Sequence, residues 1–161
     1  MIKYAVFMNL PEGKIPGYYA QVVKALANKA NLFDRDKEVL IVHSEDELKP
    51  VIEVMEQFKI DYEIGKLWLL PESSKLSTHF SDFGFTSKFG NTYLYEHLSS
   101  IFYFTQIEAS NLKQALYQIE EHKLAEYSIN DTSYYAVEKH LNELMERISK
   151  AYDGQIEFIQ S

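Results

Sequence analysis

The 161-residue chain has no cysteine. That excludes disulfides, a thiol nucleophile and a thiolate metal site, and several enzyme classes with them. No apolar run approaches the ~20 residues that a membrane-spanning helix requires. The Walker loop, the GxGxxG dinucleotide loop, the GxSxG nucleophile elbow and the HxH or HExxH ligand spacings are all missing. Without a tight ligand spacing, neither a metal nor a cofactor is expected. Glycine is scarce, with six in all, and two of them, Gly84 and Gly90, fall in the single stretch Ser77–His97. The opening MIKYAVFMNL lacks a basic region, a long apolar region and a small-residue cleavage site. It reads as a first strand, and the expected location is the cytoplasm.

What the chain does have is enough apolar material to fold. Hydrophobic residues make up 46% and aromatics 14%, so one globular domain over 1–161 is expected. The net charge of −8 is uneven. Residues 1–90 carry 13 acidic and 11 basic side chains, whereas 91–161 carry 11 and 5. An acidic half repels phosphates and steers basic surfaces, so a protein partner with a basic face is favoured over nucleic acid.

Periodicity orders the chain. KYAVFMN (3–9) predicts a strand, and Pro16 can open a helix carrying Tyr19, Val22, Val23, Leu26 and Ala30. EVLIVH (38–43) predicts a buried strand. Ser44 and Glu47 form a capping-box pattern, and because of Pro50 the helix that follows either starts nearer Lys49 or kinks. KLWLL (66–70) and SIFYFTQIEA (100–109) read as strands, and a helix is expected from about Asn111. The stripe Val137, Leu141, Leu144, Ile148 and Tyr152 predicts a long helix over about 133–152, and QIEFI a last strand. Residues 71–97 show no clean period and read as an irregular insertion. The expected fold class is α/β (or α+β): a single mixed sheet of about five strands with helices packed on it, ferredoxin-like or small doubly wound. Each half has room for a split β-α-β arrangement.

Three groups of residues are candidates for function. If the first strands are parallel, Asn9, Lys14 and His43 lie at their carboxyl ends, where such sheets bind ligands. In the irregular segment, His79, Asp82 and His97 could supply acid, base and electrostatic groups. Both histidines stand in H-x-S patterns, which serine and threonine content alone can generate. Phe83, Phe85, Phe89 and Tyr93 crowd the same segment, and exposed aromatics are what protein-binding surfaces use. Glu120, Glu121 and Glu126 add an acidic helix face.

The leading expectation is a small acidic cytoplasmic protein that binds a protein partner, as an inhibitor, immunity or accessory factor of a bacterium or phage, and is not an enzyme. The alternative is a small-molecule or nucleotide-binding protein, a phosphoesterase using His79 and His97. Self-association stays open.

Overall fold

Even-numbered side chains of the first strand, Tyr4, Val6 and Met8, pack into one apolar cluster with residues from the helices that follow. That alternation is the two-residue period of a strand with one face on the core. The computed structural model describes residues 1–13 and 16–161. Its packing groups into two compact units, Met1–Leu69 with Thr86–Asn91, and Leu70–Phe85 with Thr92–Ser161. Four α-helices and two antiparallel sheets, of six and five strands, are present among the described residues.

In the first unit the order is β1 (Ile2–Asn9), α1 (Pro16–Lys29), β2 (Asp34–Asp36), β3 (Val39–Val42), α2 (Leu48–Gln57) and β4 (Asp61–Leu70). The strands lie side by side as β2-β3-β1-β4. Tyr4 pairs with Val42, Lys3 with Leu67 and Arg35 with Leu40, all antiparallel. Each helix therefore joins two parallel strands that have a third strand between them. Val22 and Leu26 of α1, Val51, Val54 and Met55 of α2, and Val6, Met8 and Leu40 of the sheet form the core. Trp68 of β4, the chain's one tryptophan, is buried opposite Ile2.

In the second unit the strands and helices are β5 (Lys75–Leu76), β6 (Gly84–Thr86, whose last residue groups with the first unit), β7 (Thr92–Tyr95), β8 (Ser99–Gln106), α3 (Ala109–Ile119), β9 (Lys123–Ile129), β10 (Thr132–Glu138), α4 (Asn142–Ala151) and β11 (Gln155–Phe158). The five-stranded sheet has the order β11-β8-β10-β9-β5. From β8 onward the element sequence β-α-β-β-α-β and its strand order repeat those of the first unit. The core is again on the helical side, with Phe102, Tyr135 and Val137 against Ala115, Ile119, Met145 and Ile148.

Several expectations are corrected. The sheet is not single and mixed. There are two sheets with antiparallel registers, so the doubly wound alternative, which needs adjacent parallel strands, does not hold. The expected insertion at about 71–97 contains β5, β6 and β7, and Thr86–Asn91 groups with the first unit while its flanks group with the second. The long helix over 133–152 is instead the strand β10 followed by the ten-residue α4. Asn130 and Asp131 both have positive φ, 50° and 66°, between the paired residues Ile129 and Thr132. This is a two-residue hairpin turn whose hand matches strand twist, and Asn and Asp tolerate it best after glycine. The capping box does not form either: Ser44 makes no side-chain cap bond, and a 3₁₀ turn over Glu45–Glu47 leads into α2. Pro50 is the third residue of α2, where the backbone N–H would have no partner inside the helix, so it fits without a kink.

Candidate functional site

The antiparallel register decides the first candidate group. Asn9 pairs with Asp61 at one end of β1, whereas His43 follows Val42, the partner of Tyr4, at the other end. Six residues of strand separate them, about 20 Å at strand rise. Asn9 and His43 therefore do not share a site, and Lys14 lies outside the described residues.

His43 has a different partner, which sequence reading missed. Lys3 is 4% exposed, and its Nζ lies 2.8 Å from His43 Nδ1. An ammonium can only donate, so a charged Lys3 makes Nδ1 the acceptor of this contact. The same Nζ sits 4.6 Å from the centroid of the Phe33 ring, which lies 4.4 Å from the imidazole. Burial pushes the Lys3 ammonium below its ordinary range, and the charge of Glu47 opposes that. Burial also lowers the Met1 amine, with help from Lys3. A charged residue at the head of an apolar strand was the available signal, since buried lysines need such partners.

The sign of the Lys3 shift gives a pH test. A lysine held below its unfolded value of 10.5 disfavours the fold while protonated, and the penalty is relieved as pH rises toward that value. The stability of the wild type minus that of Lys3→Met should therefore move in favour of the wild type as pH climbs toward 10.5. Taking the difference cancels the tyrosines, among which burial pushes Tyr127 up to about 12. Urea unfolding of both proteins at stepped pH measures it; a flat difference would show that Lys3 is not strained by its charge.

The second group assembles only in part. His79, Asp82 and Phe83 line a hollow of about 330 Å³ together with Glu121, His122, Leu124, Glu138 and Leu141. His79 sits just before a 3₁₀ turn (Phe80–Asp82), and Asp82 closes it. His122 lies 3.4 Å from Glu121. His97 does not line this hollow; it is exposed, with its ring 6.1 Å from that of Tyr95. The histidine that joins His79 at the hollow is His122, on the 3₁₀ turn Glu120–His122. No group of three or more His, Asp or Glu among the described residues is arranged to hold a metal ion.

The aromatic group divides. Tyr93 is fully buried, and Phe85 packs against Tyr93 and Tyr95 with ring centroids 5.2 and 5.7 Å apart. Phe83 is half-buried at the wall of the hollow. Phe89 alone of the four stands clear, 81% exposed. It sits in the turn between β6 and β7, which its own hydrogen bonds close: Ser87 N to Asn91 O at 2.8 Å and Gly90 N to Ser87 O at 2.9 Å. Gly90 has φ of +90°, a conformation that favours glycine. Asn91 Nδ2 donates to the buried Asp34 carboxylate at 2.9 Å, tying the turn to β2.

The acidic group is partly neutralised from within. Lys123 Nζ bridges Glu120 at 2.7 Å and Glu126 at 3.3 Å. Burial would lower the Lys123 ammonium, but the two carboxylate hydrogen bonds outweigh it and raise it. Glu120 and Glu121 stand on a short 3₁₀ turn after α3, and Glu126 on β9, so they do not form one helix face. Glu121 remains at the hollow, with Asp82 and Glu138, and no lysine or arginine among the described residues lines it. A convergence of carboxylates and imidazoles around an open hollow suits a cationic group better than an anionic one.

No helix among the described residues is long and apolar enough to cross a membrane. No family model matches the sequence, and no curated protein matches it.

Proposed function

We propose that the chain is a non-enzymatic factor that captures a protein partner, with Phe89 as an apolar anchor. The observation that carries this reading is a large aromatic held almost fully in solvent on a turn that is fixed by hydrogen bonds. Exposing such a ring has no benefit to the fold, and a rigid anchor loses little entropy on docking. The hollow with Asp82, Glu121 and Glu138 supports a partner with a basic face, since it offers a lysine or arginine side chain three carboxylates. Inhibitors, immunity proteins and accessory factors of bacteria or phages work in this way, in the cytoplasm. Each unit is taken as a ferredoxin-like arrangement, for which the repeated β-α-β-β-α-β order and its strand sequence argue.

The experiment is a titration. A partner is captured from host lysate with the full chain, identified by mass spectrometry, purified, and measured against wild type and Phe89→Ala. Phe89→Ala should weaken binding about 30-fold, as central aromatic anchors do, while the thermal midpoint stays within about 1 °C. Unchanged affinity would overturn the anchor assignment.

A further inference from the structure

The outer edges of the two sheets are not alike. β6 has only the three residues Gly84–Thr86, β2 is three residues long and reads Asp-Arg-Asp, and β5 is two residues long and begins with Lys75. Short or charged edges of this kind discourage pairing with another chain. β11 is a four-residue outer strand, Gln155–Phe158, without lysine or proline. Its register with β8 skips one residue, between Gln155 opposite Gln106 and Ile156 opposite Phe104. The extra residue, Thr105, is thus on β8, and β11 itself runs straight. Its one charge, Glu157, accepts a hydrogen bond from Tyr103 Oη at 3.2 Å.

The free side of β11 can be read from its bonded side. Ile159 N donates to Ile101 O, so the backbone groups of Ile159 and Glu157 face β8. By strand alternation those of Ile156 and Phe158 face outward. A hollow of about 500 Å³ runs along this edge, lined by Gly154, Gln155 and Ile156 and by Glu146, Ser149 and Lys150 of α4. Ser149 Oγ is buried there without a partner.

We propose that this edge is a homodimerisation surface, with β11 of a second copy as its occupant. The choice of occupant rests on charge. The rim carries one charge of each sign, Glu146 and Lys150, one helical turn apart. A basic partner would gain little from a neutral rim, but a twofold axis needs a surface that complements itself. If the axis passes through Ile156, the two Ile156 residues exchange N–H to C=O bonds. Glu157 then faces Gln155 of the second copy rather than Glu157, and Phe158 lies opposite Gly154. The α4 helices run antiparallel at the same level, which sets Glu146 of each protomer against Lys150 of the other. The two five-stranded sheets join into one of ten.

Light scattering coupled to size exclusion tests this on the full chain. The wild type should run at twice the 18.8 kDa chain mass. Ile156→Pro removes an outward N–H and no backbone bond to β8, at a position where proline is tolerated in an edge strand, and it should run as a monomer. Because Ile156 also packs against the core, a charge series stands beside it. Glu146→Lys should weaken the dimer at least 10-fold, and adding Lys150→Glu should restore it. A wild type that stays monomeric at high micromolar concentration overturns the proposal. So does a dimer that survives both Ile156→Pro and Glu146→Lys, which would place the interface elsewhere.

Discussion

Gly84→Ala is expected to cost about 3 kcal/mol or more and to leave little folded protein at 37 °C. A Cβ at this position would fall inside the contact distance of the Tyr93 carbonyl oxygen and 2.9 Å from two carbons of the Phe80 ring. The oxygen belongs to the backbone of the neighbouring strand β7 and cannot move without opening the β6–β7 hairpin, and the Phe80 ring, on the preceding 3₁₀ turn, is buried at 7% exposure. Tyr95 N to Phe83 O, at 2.9 Å, would be among the first bonds lost. Urea unfolding measures the change. A midpoint that shifts by less than the equivalent of about 1 kcal/mol would mean that the hairpin can spread to admit a methyl group.

The second large effect is expected from Phe102→Ala. Phe102 is fully buried in the second unit and touches three other rings, Phe104, Tyr135 and Phe158, at centroid distances of 6.0, 5.7 and 5.7 Å. Truncation removes its own transfer free energy and leaves a cavity that these rings cannot fill, because each is anchored on a different strand or strand position. The loss should be about 3–5 kcal/mol. Phe102→Leu, which keeps most of the volume, should recover more than half of it. Equal losses for both variants would show that the ring contacts matter more than the space.

Elements were legible where the apolar period was unambiguous. The alternation in Lys3–Asn9, the continuous run Val39–Val42 and the Pro16 helix start all lie where the sequence puts them. The main error, a helix over 133–152, has a physical cause. Val137, Leu141, Leu144 and Ile148 do share a helical spacing, yet Val137 lies on β10 and Leu141 in a 3₁₀ turn, and only Leu144 and Ile148 lie on α4. Tyr135 and Val137 already alternated like a strand, and Asn130–Asp131 was a turn signal of the hairpin kind.

The candidate site was less legible. His79 and His122 are 43 positions apart and meet at the hollow because β5 pairs with β9, which begins directly after the turn that carries His122. No local pattern encodes such a meeting. The crowding of aromatics was visible, but not which ring is left outside. Phe85 and Phe89 read alike in sequence. Strand pairing puts Phe85 against Tyr93, while a closed turn lifts Phe89 away.

The single tryptophan makes the molecule its own spectroscopic probe. Trp68 is 4% exposed on β4, with its indole nitrogen buried and without a hydrogen-bond partner. Its emission should be blue and should shift to the red when its surroundings on β4 open. The tyrosine pair Tyr127 and Tyr134, stacked with ring centroids 5.1 Å apart in the second unit, adds to the near-ultraviolet circular dichroism. The chain thus carries its own optical probes of unfolding, and no dye or tag needs to be attached.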